Sequence, residues 1–336
     1  MAENMNEWLG LTLEETQEPG LPICDPHHHL WDYPDSRYML DEVLADTGSG
    51  HNVQKTVFIE CGSMYRAKGP EREKPLGETE FVQGIAAMSA SGNYGATRIA
   101  DGIVSFADLA LGAEVEEVLW GHVSASPNRF RGIRHATAWD AHDDIRVSHS
   151  SPSEHLLMDQ SFREGFAVLE RLGLTFDAWF YHPQMDEFVD LARSFPGVCI
   201  ILDHFGGPLG IGPYAGQPDD VFKQWQATII QLKDCENVHF KLGGINMKIN
   251  GFDWHKQERP PTSDELVAAT GRFYEFCIEQ FGPDRCMFES NFPVDKASCS
   301  YNTLWNAFKK MSKQYSATER SALFYDTAVR VYSLED

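Results

Sequence analysis

The sequence has little positive charge. Its 28 Lys and Arg residues stand against 50 Asp and Glu residues, which gives a formal net charge of −22 at pH 7. An electrostatic field of this sign disfavours binding to nucleic acid or to an anionic membrane surface. It does not exclude an anionic small molecule, because a local Arg or His can still receive one. We therefore expect a small-molecule substrate, with no nucleic acid and no membrane as partner.

Paired cysteines and long apolar runs are also missing. The seven cysteines are odd in number and free of CxxC spacing, so they indicate neither a disulfide framework nor a Cys-based zinc site. No apolar run is long enough to span a bilayer, and no basic segment followed by an apolar one opens the chain. This pattern is typical of a reducing compartment and predicts a cytoplasmic protein.

Eight short apolar runs alternate with amphipathic stretches along the chain. This alternation is typical of parallel βα units, and eight units predict one (β/α)8 TIM barrel in the α/β class. The predicted strands cover residues 21–26, 55–61, 101–107, 130–135, 174–182, 198–204, 238–242 and 285–291. The predicted helices cover residues 80–91, 113–122, 161–172, 185–195, 219–234, 263–281, 301–314 and 317–332. A doubly wound sheet is the alternative, weakened because no Gly-rich phosphate loop follows the first run.

The first 20 residues are acidic and polar and precede the first predicted strand. We interpret residues 1–20 as an N-terminal extension that either lies on the domain surface or is disordered. Residues 21–336 then form the barrel domain. A homodimer is compatible with such a barrel.

Ionisable or polar side chains end nearly every predicted strand. The residues at these ends are His27, His29, Glu60, Arg134, His135, His182, Asp203, His204, Lys241, Glu289 and Asn291. The carboxyl ends of parallel barrel strands meet at one face, where such barrels carry their active sites. A single buried histidine is ordinary packing, but a ring of ionisable groups must be desolvated and partnered. The ring therefore favours an active site over structural packing.

Three motifs resemble the amidohydrolase superfamily. They are DPHHHLW at residues 25–31, ILDHFGGP at 201–208 and FESNFPV at 288–294, on predicted strands one, six and eight. Within amidohydrolase family 2, they are most similar to the lactonase-like branch of 2-pyrone-4,6-dicarboxylate lactonase, sulfomuconolactone hydrolase and sugar lactonases. The resemblance implies a distorted barrel and a hydrolase that opens a carboxylated or polyhydroxylated lactone with activated water.

The resemblance also implies roles for individual residues. His27, His29 and His204 match histidines that hold a divalent ion, for which zinc is the first choice, or that polarise the carbonyl without metal. Arg134 matches an arginine that binds a substrate carboxylate. His182 lies in a Tyr-His-Pro-Gln segment of the family, and either it or His204 would protonate the leaving oxygen. Further candidate substrate contacts are Trp31, Glu60, Tyr65, His135 and Tyr181.

The sequence departs from the family pattern on strand eight. The family carries an Asp there that activates water, whereas this chain has Asn291, which cannot accept a proton. Two residues earlier stands Glu289, on the same face of a strand. We expect Glu289 to be the base or a metal ligand, with a pKa raised by burial, and Asn291 to orient water or substrate. The structural alternative pairs Glu289 with Lys241 or Arg285.

Two other functions stay open at this stage. One is a metal-dependent, non-oxidative decarboxylase of an aromatic or muconate-like acid, against which the missing Asp counts. The other is a catalytically silent barrel that binds a metabolite, which the missing Asp favours and the intact histidines oppose. The decarboxylase would use the same scaffold and release carbon dioxide, whereas the silent barrel would bind its ligand without turnover.

Overall fold

The computed structural model describes residues 2–334 and contains a nearly closed barrel of eight parallel strands. The strands are β1 (Pro22–His28), β2 (Asn52–Ile59), β3 (Arg98–Ser105), β4 (Phe130–Arg134), β5 (Thr175–Ala178), β6 (Ile200–Leu202), β7 (Val238–Leu242) and β8 (Cys286–Phe288). Each strand pairs with the next in the chain. Residues after β8 approach β1, where the His29 amide donates to the Phe292 carbonyl at 2.8 Å. The predicted barrel and its eight strands are confirmed.

Helices surround the barrel and connect its strands. They are α1 (Ala2–Leu9), α2 (Leu40–Thr47), α3 (Leu76–Ala90), α4 (Val115–Ala125), α5 (Gln160–Leu172), α6 (Met185–Ser194), α7 (Pro218–Ile229), α8 (Ser263–Phe281), α9 (Tyr301–Met311), α10 (Ala317–Ser321) and α11 (Thr327–Val331). A π-turn at Ala322–Asp326 divides the last predicted helix. The sequence did not predict α1, α2 or the short hairpin of Trp31–Tyr33 and Ser36–Tyr38. Helix ends follow local chemistry: Asp159 caps α5, and Gly173 ends it in the left-handed region.

An apolar layer fills the amino-terminal end of the barrel. It combines inward strand residues with the chain that follows α11, and its members include Cys24, Val57, Val104, Ile201, Met287, Tyr332 and Leu334. The polar side chains described below lie at the opposite, carboxyl-terminal end of the strands. The Tyr332 hydroxyl links the two layers, because it donates to Asp177 Oδ1 at 2.6 Å.

The segment before β1 packs against the barrel's outer helices. Thr12 Oγ1 donates to the Pro260 carbonyl at 2.7 Å, and Ser263 Oγ, at the start of α8, donates to Glu14 at 2.6 Å. Lys309 on α9 donates to the Gln17 carbonyl at 2.7 Å. Within residues 2–334, no helix combines the length and apolar character needed to cross a membrane.

Candidate active site

A cavity of about 400 Å³ opens at the carboxyl-terminal end of the barrel. Its lining residues are His29, Trp31, Cys61, Arg134, Arg146, Val147, Ser148, His149, Trp179, Tyr181, His204, Met247, Ile249, Asn291 and Val294. Barrel strands and the loops that follow them supply this wall, as expected for a TIM barrel. Its polar groups include His29, directly after β1, and His204, in the turn after β6.

A fully buried carboxylate joins two of these histidines beneath the cavity. Glu289 Oε1 lies 2.6 Å from His204 Nδ1, and Glu289 Oε2 lies 2.8 Å from His27 Nδ1. The backbone amide of His204 adds a longer bond to Glu289 Oε1, at 3.3 Å. His204 lines the cavity, whereas Glu289 and His27 do not. Glu289 therefore acts on the cavity through an imidazole.

The pKa of Glu289 is lowered to about 2. Burial alone would raise it, but the neighbouring His204 and His27 outweigh burial by favouring the charged carboxylate. The expectation of a raised pKa was therefore wrong. The expected alternative pairing is also absent, because Lys241 pairs with Asp177 and Asp203, and Arg285 donates to backbone carbonyls.

Two consecutive glycines after β7 make room for this pair. A Cβ on Gly243 would lie 2.5 Å from Glu289 Cγ, and one on Gly244 would lie 2.1 Å from His204 Nδ1. Gly244 has φ +63, a conformation that glycine adopts without strain. His204 itself has φ 52, which costs energy for a residue with a side chain. The backbone is thus shaped around the His204–Glu289 contact.

His28, the last residue of β1, and His29, which follows it, point in opposite directions, as strand alternation predicts. His28 points away from the cavity, with Nε2 2.8 Å from Thr56 Oγ1. His29 faces the cavity, and its Nδ1 donates to the Ile59 carbonyl at 2.8 Å. That bond leaves the His29 Nε2 lone pair available. Burial and the charges of His27 and Arg134 hold the pKa of His29 well below its ordinary value.

Arg134 is held by carboxylates of the protein. Its Nε donates to Glu60 Oε1 at 2.8 Å, and its Nη1 donates to Asp203 Oδ2 at 3.3 Å. Glu60 also accepts from His149 Nε2 at 2.8 Å. Burial would raise the pKa of Glu60, but His149 and Arg134 lower it to about 2. Glu60 therefore contacts Arg134 and His149 and does not line the cavity.

Arg146 contrasts with Arg134. It lies on the loop after β4, lines the cavity and is exposed. Across the described residues 2–334, its guanidinium has no hydrogen bond or ion pair, and only its backbone carbonyl is bonded, to the Tyr181 hydroxyl at 2.5 Å. Sequence reasoning missed both Arg146 and His149, because loop residues carry no periodic signal.

A second buried charge cluster lies below the histidines. Lys241 Nζ is 2.5 Å from Asp177 Oδ1 and 3.2 Å from Asp203 Oδ1. The same ammonium is 3.2 Å from His27 Nδ1. Every member is fully buried, so each charge depends on its partners. Asp203 thus contacts His27, at 3.6 Å, in addition to Lys241 and Arg134.

Asn291 lines the cavity and is fixed on three sides. Its amide N–H donates to the His27 carbonyl at 3.0 Å, and its own carbonyl accepts from the Asp295 amide at 3.1 Å. Its side-chain Nδ2 donates to Asp295 Oδ1 at 3.1 Å. Burial raises the pKa of Asp295 to about 7, with His204 and the Asn291 bond opposing that shift. Sequence reasoning did not identify Asp295, although its spacing of four residues from Asn291 was visible.

The structure brings some predicted substrate contacts to the cavity and leaves others outside. Trp31 stacks on His29 with ring centres 5.8 Å apart, and Tyr181 also lines the wall. Tyr65 is not part of that wall. His135 packs against Phe162, where its Nδ1 accepts from the Leu109 amide at 3.3 Å.

His182, a predicted proton donor, also lies outside the cavity wall. It is buried, and its Nδ1 accepts from the Leu209 amide at 3.2 Å. Burial lowers its pKa to about 4. His182 therefore binds the loop after β6. Of the two predicted proton donors, His204 lines the cavity and His182 does not.

His27, His204 and Glu289 form a group that could hold a metal ion. One donor atom from each lies within 4.8 Å of the others. Imidazole nitrogen with a carboxylate oxygen is a donor set that suits zinc. His29 is not one of the three residues of this group among the described residues, and its predicted role as a fourth ligand stays a prediction.

Comparison with known proteins identifies the family. The model of a family described as amidohydrolase matches residues 24–334. The uncharacterized protein y4mH of Sinorhizobium fredii is 34% identical, over 93% of this chain and 98% of its own. L-fucono-1,5-lactonase of Burkholderia multivorans is 27% identical, over 62% of this chain and 64% of its own. A solved amidohydrolase of Burkholderia multivorans with bound zinc is 22% identical with a TM-score of 0.70, covering 93% of this chain and 99% of its own. The chain therefore belongs to the amidohydrolase family.

Proposed function

We propose that this amidohydrolase opens a lactone by hydrolysis. The observation that carries the proposal is the contact of 2.6 Å between Glu289 and His204 Nδ1, with His204 facing the cavity. A base held by a buried carboxylate is the arrangement that activates a nucleophile in many hydrolases. The relationship to a fucono-lactonase supports a cyclic ester as the bond.

His204 exchanges the proton in this scheme. Its Nδ1–H donates to Glu289, so Nε2 carries the lone pair and can take a proton from a water molecule in the cavity. The water oxygen then bonds to the carbonyl carbon, and the C=O π electrons move to the carbonyl oxygen. They reform the C=O bond as the ring C–O bond breaks. When the ring C–O bond breaks, the leaving oxygen receives that proton from Nε2. Glu289 stays charged throughout and stabilises the imidazolium, which is a different role from the direct base that the sequence predicted.

A divalent ion would use the same three residues. His27, His204 and Glu289 would hold it, and when bound it would supply Lewis-acid polarisation of the substrate carbonyl. Their donor types and proximity fit such an ion. Because a metal-ligating imidazole nitrogen must be free of its proton, metal binding by these residues would compete with protonation of the same groups. Assays therefore need protein of defined metal content.

Arg146 supports a substrate with an anionic substituent. It is a cavity-lining guanidinium that has no partner among residues 2–334, in a chain of net charge −22. A guanidinium binds a carboxylate through two parallel hydrogen bonds. Arg134, the residue first expected to do this, already binds Glu60 and Asp203. The proposed substrate class is therefore a carboxylated lactone, with Arg146 as its anion contact.

The proposal is tested by proton release from a panel of carboxylated and neutral sugar lactones. We expect turnover by the wild type and a fall in kcat of about 10²–10⁴-fold in His204→Asn and Glu289→Gln, as for loss of a general base. His122→Gln is the matched control, because His122 is a fully buried imidazole outside the cavity wall. Turnover that persists in Glu289→Gln would refute the assigned role of the pair.

The anion contact has its own readout. Arg146→Ala should raise KM about tenfold or more for carboxylated lactones, because a charge-assisted hydrogen bond is worth about 1.5–3 kcal/mol. It should leave neutral lactones unaffected. Equal changes for both substrate groups would contradict the carboxylate assignment while leaving lactone hydrolysis intact. Ligand binding without proton release, or release of carbon dioxide, would instead exclude hydrolysis.

A further inference from the structure

The Asn291 side chain presents one defined end to the cavity. Its Nδ2 is committed to Asp295 at 3.1 Å, so its Oδ1 is the opposite end of the amide. Within residues 2–334, Oδ1 has no hydrogen-bond partner. It is also not one of the buried polar atoms that lack a partner, so it is accessible from the cavity. Asn291 is a lining residue of the cavity that His204 also lines. An acceptor-only oxygen therefore belongs to the same cavity wall as the proposed base, His204.

The orientation of this amide depends on Asp295. An isolated carboxamide can present either its oxygen or its NH2 group, because the two ends have nearly the same shape. Asp295 is fully buried, and its carboxyl offers an acceptor oxygen whether it is ionised or protonated. That acceptor selects the orientation in which Nδ2 points to the wall. Asn291 has φ 55, so its backbone is also held in an uncommon conformation.

We propose that Asp295 is a positioning residue that turns the Asn291 amide oxygen toward the attacking water. This inference rests on the proposed hydrolysis. The water donates one hydrogen bond to Asn291 Oδ1 and transfers its other proton to His204 Nε2. Its oxygen bonds to the carbonyl carbon as the C=O π electrons move to the carbonyl oxygen. Asn291 accepts a hydrogen bond without taking a proton. Asn291 thereby orients the water, and His204 removes its proton. An Asp at position 291 would combine these two roles.

A double-mutant cycle tests the proposal. Asp295→Asn keeps the shape of the side chain but offers Asn291 both a donor and an acceptor, so the amide loses its fixed orientation. We expect kcat to fall about 10–100-fold with KM nearly unchanged, the usual effect of losing an outer hydrogen-bond partner. Asn291→Ala should cause a similar fall. In the Asn291→Ala background, Asp295→Asn should have no further effect, because nothing remains to be oriented.

Controls separate this role from general stabilisation. Asp46→Asn changes a partly buried Asp that binds Lys296 at 2.8 Å outside the cavity, and we expect kcat to stay at the wild-type value. If Asp295→Asn does not fold, the exchange Asn291→Asp with Asp295→Asn reverses donor and acceptor and should recover folding and turnover above the Asn291→Ala level. Failure of this exchanged pair to exceed Asn291→Ala would refute the pairing.

Three further outcomes would overturn the inference. Wild-type kcat in Asp295→Asn would show that the amide needs no partner. Equal losses from Asp295→Asn in the wild-type and Asn291→Ala backgrounds would assign Asp295 a structural role. Both results leave lactone hydrolysis in place. Absence of turnover by the wild type across the panel would remove the proposed function, and this inference with it.

Discussion

Gly244 provides the sharpest test of the His204–Glu289 contact. A methyl group at this position would lie 2.1 Å from His204 Nδ1, 2.4 Å from Cγ and 2.8 Å from Cε1. All three atoms belong to one rigid ring, so rotation of a flexible tip cannot relieve the overlap. To reach even a 3.0 Å contact, the ring must retreat by about 1 Å.

The expected effect of Gly244→Ala follows from that displacement. A retreat of about 1 Å would stretch the 2.6 Å bond to Glu289 beyond hydrogen-bonding distance. A misplacement of this size can cost about 100-fold in rate. The positive φ of Gly244 adds a stability cost of about 1–2 kcal/mol, and overpacking adds about 1–3 kcal/mol. We therefore expect both a lower free energy of unfolding and a lower kcat.

Gly173→Ala isolates the conformational part of this cost. Gly173 has φ +65, and no atom of residues 2–334 lies within 4 Å of an added Cβ, so the substitution introduces backbone strain without contact. Urea unfolding and initial rates on an active lactone should show a stability loss in both variants and a rate loss only in Gly244→Ala. If Gly244→Ala keeps the wild-type kcat and unfolds at a urea concentration no lower than Gly173→Ala does, Gly244 does not make room for His204.

Three other measurements address the surrounding groups. Burial and the charge of Glu60 raise the pKa of Glu78 to about 8, above an unfolded value of about 4.3. The free energy of unfolding should therefore fall as pH rises between these two values, by up to about 1.4 kcal/mol per pH unit. Urea unfolding at several pH values should show a weaker pH dependence in Glu78→Gln. Zinc at 100 times its Kd for the wild type should add about 2.7 kcal/mol to the free energy of unfolding of the metal-free wild type, and less to that of Glu289→Gln. Equal stabilisation of the two proteins would contradict the assigned ligands. Tyr332→Phe should cost about 1–3 kcal/mol of stability, because it removes the bond to buried Asp177, and should change kcat little.

Local pattern in the sequence predicted the barrel well. Apolar runs and helical periodicity found all eight strands, since each strand must bury a short apolar segment between helices. The eight-residue helix Leu40–Thr47 and the short hairpin before it escaped, because segments of this length give little periodic signal. The position of His135 was within reach: it follows Arg134 at the end of β4, and neighbouring strand residues point in opposite directions.

The chemical roles in the site depended on contacts between distant strands. The sequence indicated that Glu289 would be buried, but not that imidazoles from β1 and from the turn after β6 would take both its oxygens. Likewise, Arg134 looked available until Glu60, the residue directly after β2, proved to be its partner. A pKa reflects the balance of burial and partners, and only burial is readable from an apolar strand. Motifs therefore located the site, while three-dimensional contacts set each role.

These contacts also give a physical reason for Asn at position 291. An Asp there would place a third carboxyl group beside Asp295 and near Glu289, all within the protein interior. Buried carboxylates that share a site repel one another, so one would have to remain protonated and could not act as a base. With Glu289 already charged and bound to two histidines, an uncharged amide at 291 avoids that repulsion and still offers an acceptor oxygen. The loss of the usual Asp and the presence of Glu289 are thus two parts of one electrostatic arrangement.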